Sequence, residues 1–414
     1  MKIAILSDFH FGYAWNSKLE KDSFDNAREA LEKSQDCDLI LIIGDIFDSR
    51  IPNTEVWDKA LEVLSTPLLA EDKETKLIKL LGKNIKEISE RTLTGAPVIA
   101  LHGTHERRGR DQVNAIQALE QTGFLIHLHC NGVIFEKEGQ KVAIQGMSGV
   151  PERYAKDILD KWNPKPVEGC YNILMIHQSI DPYVYSPLDP PTLNMNNLPH
   201  GFSLIINGHI HNHEKAKIKD TDFIIPGSTI ITQLKEEEIK TPRGFYKLEI
   251  PENRIEFIEL EKNRKIFYRE IILDEKSSKD KIESELEKIL KNRFDKKPLI
   301  KFKISGKKTG LVDKELKSLE KKYEKDCILT FQKKLESEEM EKKLDFLKKM
   351  REEKLSIEEM GIKILRENLD SLKFKEEFDP ENLFKLLSDN QTERAFDILT
   401  KKQQTLKQFG VQND

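Results

Sequence analysis

The sequence is short of thiols. Its 414 residues hold four cysteines, Cys37, Cys130, Cys170 and Cys327, far apart and without a Cys-x-x-Cys pair. That argues against a zinc finger or a disulfide framework and for a reducing, intracellular compartment. No apolar run approaches the roughly 20 residues a membrane span needs. The amino terminus, Met1 to Asp8, lacks a small-residue cleavage site and reads as a first strand rather than a signal peptide. Histidine is missing from the second half, since all ten lie between His10 and His213. Imidazole chemistry is therefore confined to the first half. Excess charge of one sign is also missing. A net charge of -4 argues neither for nor against nucleic acid, because phosphate contacts need only a local basic surface.

What is present is a long, charged, globular chain with length for two or three domains. Its organising stretch is Leu39-Ile40-Leu41-Ile42-Ile43-Gly44-Asp45-Ile46-Phe47-Asp48. Five unalternating apolar residues read as a strand buried on both faces. Gly44 then lets the backbone turn close to whatever Asp45 holds. In open α/β sheets ligands sit at the carboxyl ends of strands. Pro97–His102, Asn172–His177 and Leu204–His209 repeat the pattern of an apolar strand ending in polar chemistry. Helical spacing of apolar residues predicts helices over 22–33, 54–66 and 112–121, and over the Lys- and Glu-rich stretch 72–91 with Leu77, Leu80, Leu81, Ile85 and Ile88. Strands alternating with helices, then runs of strands, predict an α/β sandwich on a mixed sheet over 1–255. A βαβαβ pattern over 266–334 predicts a small α+β domain. From Leu335 to residue 414 narrow apolar stripes recur on a charged helical background: Met340, Leu344, Leu347 and Met350, then Ile357, Met360, Ile364 and Leu365, then Leu383, Phe384, Leu386 and Leu387, then Ala395, Phe396, Ile398 and Leu399.

Set side by side, the strand ends are Asp8-Phe9-His10, Gly44-Asp45-Ile46-Phe47-Asp48, Gly103-Thr104-His105-Glu106, His177 and Gly208-His209-Ile210-His211. Carboxylates and imidazoles with few thiols favour manganese, iron or zinc over soft metals. In an extended chain, Asp-x-His and His-x-His put both side chains on one face. Two ions held about 3.5–4 Å apart can clamp a phosphate and activate water. One carboxylate must bridge them, and Asp45 is the natural candidate. Any one pair is weak; five in this order, each after an apolar strand, are specific.

On these motifs the sequence resembles the metallophosphoesterase, or calcineurin-like, superfamily over about residues 1–250. Within it, Asp8-Phe9-His10-Phe11-Gly12-Tyr13, His177-Gln178 and Pro226-Gly227-Ser228-Thr229 are similar to the archaeal double-strand-break repair nucleases, the SbcD-type subunit. The resemblance implies a four-layered β-sandwich flanked by helices, then a small α+β capping domain and a helical tail. It implies two Mn2+ ions, with Mg2+ or another divalent metal as the alternative. Asp8, His10, Asp45 and His211 would hold one ion, and Asp45, His177 and His209 the other. His105 would be the general acid, a role that suits a histidine pKa, and Asp48 would sit near the scissile phosphate. Thr104 departs from the family pattern, where an asparagine oxygen ligates the second metal. A hydroxyl is a poorer ligand, so a weaker second site is expected.

The implied activity is a 3′-to-5′ double-strand exonuclease and single-strand endonuclease, cytoplasmic and nucleoid-associated. It would act on DNA ends as a homodimer, with an SMC-like ABC ATPase of SbcC type docked on the C-terminal helices. A phosphatase or cyclic-nucleotide phosphodiesterase leaves the last 160 or so residues unexplained. A scaffold without catalysis leaves the converging polar groups unexplained. Arg107-Arg108-Gly109-Arg110 is either a phosphate contact or a solvated cluster. Tyr13 and Trp15 read as packing residues. His102, His127, His129 and His200 read as structural or exposed, and His213 as a surface residue or a support behind the ligands.

Overall fold

Leu39–Ile43 pairs in parallel with Lys2–Leu6 on one side and Val98–Leu101 on the other. The full sheet has six strands, in the order Arg254–Glu259, Gly244–Glu249, Lys2–Leu6, Leu39–Ile43, Val98–Leu101 and Ile126–His127. The computed structural model describes residues 1–109, 112–184, 192–234, 236–272, 278–306 and 313–335, and beyond them 361–363, 365–366, 369, 379–388, 394–396 and 398.

Successive side chains of a strand point to opposite faces, and both faces of this sheet are covered. Ala4, Leu6, Ile40, Ile42, Val98 and Ala100 pack under Phe24, Ala27 and Leu31 of helix Asp22–Glu32 and Val56, Ala60 and Val63 of helix Thr54–Leu64. Ile3, Ile5, Leu39, Leu41, Ile43 and Ile99 face a second sheet and meet Val133, Phe135, Ile144, Ile173, Met175 and Ile206. That sheet has seven strands: Glu214–Ile218, Thr221–Ile225, Leu204–Asn207, Tyr171–Ile176, Gln140–Met147, Asn131–Lys137 and Lys76–Leu81. Its outer face, with Leu174, Ile176, Ile205 and Phe223, packs against Ala155 and Leu159 of helix Glu152–Trp162. The layers run helix, sheet, sheet, helix, as expected.

The helix expected over 72–91 is absent. Its place is taken by the edge strand Lys76–Leu81 and the short turns Ile85–Glu87 and Glu90–Leu93. The reason is a bulge. Leu77 opposes Phe135 and Lys79 opposes Ile134, so Ile78 is an extra residue and is 45% exposed. A bulge resets the alternation, so Leu77 and Leu80 both reach the inner core. Their spacing of three imitates a helix.

The chain divides into two compact units, Met1–Ser305 with Thr309–Lys333, and Gly306–Lys308 with Lys334–Asp414. Within the first, Ile266–Ile272, Leu299–Gly306 and Ile328–Leu335 form a three-stranded sheet. Ile300, Phe302 and Ile304 pack there against Ile282 and Leu286 of helix Ser278–Leu290 and Leu316 and Leu319 of helix Asp313–Lys322. Arg264 clasps the Asp22 carboxylate with two bonds of 2.6 and 2.8 Å, fixing the entry to this sheet on the first helix. In the second unit, helix Pro380–Ser388 is capped by Asp379, whose carboxylate accepts the N–H groups of Glu381 and Asn382. The Phe384 ring lies against Gly361. The stripes Met340–Met350 and Ile357, Met360, Ile364 and Leu399 lie outside the described residues.

His127, in the edge strand of the first sheet, is 7% exposed and 2.9 Å from the Nδ1 of His102. Burial pushes its pKa well below the ordinary value, and His102, His129 and Lys83 add to that. At this ring the folded chain thus binds fewer protons than the unfolded chain below about pH 6.5, so acid removes its share of stability there. Stability should fall as the pH drops below about 6.5, and His127→Gln should flatten that limb by up to about 1.4 kcal/mol per pH unit. Parallel denaturation curves for the two proteins would contradict this.

Candidate metal centre

The parallel strands of both sheets end at one place. Asp8 and His10 follow Lys2–Leu6, Asp45 and Asp48 follow Leu39–Ile43, and Thr104 and His105 follow Val98–Leu101. From the second sheet come His177, after Tyr171–Ile176, and His209 and His211, after Leu204–Asn207. Backbone bonds stitch the loops together: Asp8 N–H to the Gly44 carbonyl at 3.0 Å, His10 N–H to Asp45 at 3.0 Å, and Asp48 N–H to Phe11 at 3.0 Å. A bond between the sheets closes the cluster: His177 Nδ1–H donates to the Ile43 carbonyl at 2.5 Å.

Three donor sets result, each with its ligand atoms within 4.8 Å of one another: Asp8, His10 and His211; Asp45, His177 and His209; and His10, Asp48 and His105. In the first, His10 Nε2 and His211 Nε2 stand 3.2 Å apart, with Asp8 Oδ1 at 3.9 and 4.0 Å from them. In the second, His177 Nε2 is 3.2 Å from Asp45 Oδ2. Thr104 Oγ–H donates to the same oxygen at 3.2 Å and lies 3.4 Å from His209 Nδ1. In the third, His10 Nδ1 meets Asp48 Oδ1 at 3.1 Å, and His105 Nδ1–H donates to the Asp48 carbonyl at 2.7 Å.

The electrostatics centre on Asp45. Burial pushes its carboxyl up, but His177, then His10 and His105, outweigh burial and hold it well below the usual range. Burial disfavours charge on His177 too, yet Asp45 overrides it and raises the pKa to about 10. His209, buried and repelled by His177, falls to about 3 and stays a neutral donor. His105 is 42% exposed at the mouth; burial works against its charge, but Asp45 and Asp48 win and its pKa rises. Glu106 is wholly buried, and burial and then Asp45 push it up to about 8. Its two carboxyl oxygens accept Phe47 N–H at 2.7 Å and Gly103 N–H at 2.8 Å, clipping two site loops together.

These residues fit a divalent cation. Asp8 Oδ1 is buried without a hydrogen-bond partner, a costly state unless a cation compensates it. Carboxylate oxygens and neutral imidazoles are the donors such ions prefer. The backbone is bent to serve the arrangement. Asp8, His10, Asp45 and His209 all adopt positive φ, from 47° to 75°, which costs side chains of this kind about 1–3 kcal/mol each.

Other histidines stay apart from these sets. His102 is buried and paired with His127, His129 lies beside them, and His200 is exposed near Lys219. His213 stacks on Phe257 with ring centroids 4.1 Å apart. Trp15 packs on Phe24, and Tyr13 O–H donates to the Thr232 carbonyl at 2.7 Å. Arg107 lies in the electrostatic reach of Arg50, Glu152 and Asp45, beside the site; Arg110 is outside the described residues. Sequence reasoning missed Glu106 as a clip, and it missed Thr232, Glu238 and Arg243 behind His211. Only the position of Glu106 next to His105 could have signalled one of them.

Gly103 shows how tight the site is. A Cβ there would stand 2.1 Å from Asp45 Oδ1 and 2.4 Å from its backbone nitrogen. Gly103→Ala should therefore destabilise the fold by about 1–3 kcal/mol and weaken Mn2+ binding, as read by denaturation and metal titration. Wild-type behaviour in both would refute the claim that the loops have no room.

The chain is similar in sequence to known proteins. DNA double-strand break repair protein Mre11 of Methanopyrus kandleri is 25% identical over 295 residues, covering 66% of this chain and 59% of that protein. Human double-strand break repair protein MRE11 is 24% identical over 306 residues, covering 66% and 42%. Its Arabidopsis thaliana counterpart is 25% identical over 344 residues, covering 72% and 47%. The chain thus spans about half the length of the curated relatives it matches. The family model described as calcineurin-like phosphoesterase matches residues 1–213, just over half of the sequence, and the chain belongs to that family.

Proposed function

We propose that this chain is a divalent-metal-dependent DNA nuclease that acts on double-strand ends. The observation that carries the reading is the meeting of two donor sets with the His105 imidazole at their mouth. The names of the matched relatives supply the substrate. Asp8, His10 and His211 would hold one ion, and Asp45, His177 and His209 the other. The Asp45 carboxylate, whose field reaches His10, would supply negative charge to both sets. Mn2+ is the ion proposed.

Divalent ions there supply Lewis-acid stabilisation of phosphoryl oxygens and make water acidic enough to attack. The rest is the work of the side chains. Asp48 takes His10 Nδ1 on its carboxylate and His105 Nδ1–H on its carbonyl, so both rings leave Nε2 for the site. The Asp45 carboxylate also accepts the His105 backbone N–H at 2.8 Å, which fixes the loop of the acid. Asp45 and Asp48 raise the pKa of His105, which suits a ring that gives a proton to the leaving oxygen. Arg50 and Arg107 place positive charge beside the site, where a neighbouring backbone phosphate would lie. The finer reading follows the resemblance: 3′-to-5′ exonuclease on duplex ends, endonuclease on single strands, a homodimer, and an SMC-like ATPase on the C-terminal helices.

The test is cleavage of end-labelled duplex DNA with Mn2+. Wild-type protein should cut, and His105→Ala should lose about 100- to 10,000-fold in rate while still binding metal. Cleavage of a small aryl phosphodiester but not of DNA would overturn the nucleic-acid reading. Inactivity on both with Mn2+ bound would favour a scaffold.

Thr104 gives a second test. Its hydroxyl reaches both Asp45 and His209 but is a weak ligand. Thr104→Asn should tighten the second Mn2+ site in calorimetric titration. Unchanged affinity would show that this position does not limit metal binding.

A further inference from the structure

His211 is held from behind by a segment that ends no apolar strand of the site. The chain leaves strand Thr221–Ile225, passes Ser228, and returns beside His211 at Thr232. Thr232 Oγ1 lies 2.7 Å from His211 Nδ1, and Glu238 Oε1 lies 3.6 Å from the same nitrogen. Glu238, 6% exposed, accepts the Thr232 N–H at 3.1 Å on one oxygen and the Gln233 N–H at 2.8 Å on the other. Behind both stands Arg243, 3% exposed. Its guanidinium donates to the His211 carbonyl, the Glu238 carbonyl, Ser228 Oγ and Asn212 Oδ1, and lies 3.9 Å from the Glu238 carboxylate. From the far side, Lys301 of the three-stranded sheet donates to the Leu234 carbonyl at 3.0 Å.

A histidine can serve a metal through Nε2 only if that nitrogen is unprotonated. The hydrogen bond made by the other nitrogen then sets the tautomer and the ring angle. Here Nε2 of His211 faces His10 Nε2 and Asp8 Oδ1. Nδ1 must therefore carry the proton and give it to Thr232 Oγ1. The Glu238 carboxylate stands 3.6 Å from that nitrogen, and the Arg243 guanidinium, 3.9 Å from the carboxylate, holds it in place.

We propose that Thr232 and Glu238 are positioning residues for His211, and that Arg243 locks them onto it. The bracket makes His211 a preorganised donor, and its ring has one setting because both ends of the imidazole are engaged. The inference rests on the reading of His211 as a metal donor, and its test separates the two.

The experiment is Mn2+ titration of the full chain by calorimetry and by the loss of the free-ion electron paramagnetic resonance signal, with thermal stability measured alongside. Thr232→Val keeps the shape and removes the hydroxyl. It should weaken one Mn2+ site about 10- to 100-fold, the range for partners of metal-bound histidines, and leave the other site and the melting temperature near wild type. Thr232→Ser should restore binding, and Glu238→Gln should weaken the same site as Thr232→Val does. If Thr232→Val and Glu238→Gln bind as wild type while His211→Ala loses a site, the bracket is only structural and the proposal fails. If His211→Ala itself keeps both sites, the reading of His211 as a donor fails, and the proposal with it.

Discussion

A carboxylate with no access to water lies at the centre of this fold. Asp45 is 1% exposed and charged, which is tolerable only because imidazoles from three other loops surround it. His177 is the nearest of them and comes from the other sheet. Its second nitrogen is bound to the Ile43 carbonyl, one turn of chain before Asp45 itself. The two sheets are therefore held in register by polar contacts as well as by the apolar layer between them. Gly44 and Gly103 follow from the same constraint. At Gly44 a Cβ would strike His177, and at Gly103 it would strike Asp45.

How much of this was legible in the sequence depended on distance along the chain. Strands with both faces covered announce themselves as unbroken apolar runs, and the groups at their ends stand next to them in sequence. Asp8, Asp45, His105, His177 and His209 were therefore readable as one constellation. The strand Lys76–Leu81 was misread because its bulge gives Leu77 and Leu80 a helical interval. Helix Glu152–Trp162 went unnoticed, although Ala155, Ile158, Leu159 and Trp162 carry its apolar face. It follows a run of strands and opens after Pro151 without a side-chain cap.

The supports of the site were harder to find than its donors. Glu106 reads as one more member of a polar loop, yet both its oxygens point at backbone N–H groups. Arg243 lies 32 residues from the carbonyl it holds. No periodicity connects such positions, because only the completed fold brings them together. Asp48 read as a group near the substrate, and in the structure its oxygens also engage His10 and His105.

The left-handed backbone at Asp8, His10, Asp45 and His209 limits how these positions can be altered. Glycine is the residue that such dihedral angles favour, and it would relax each turn. Every one of these four positions instead keeps a side chain that the backbone resists. Replacing any one of them by glycine would relax a turn and remove a polar group of the site in the same step, so at these positions stability and chemistry pull the sequence in opposite directions.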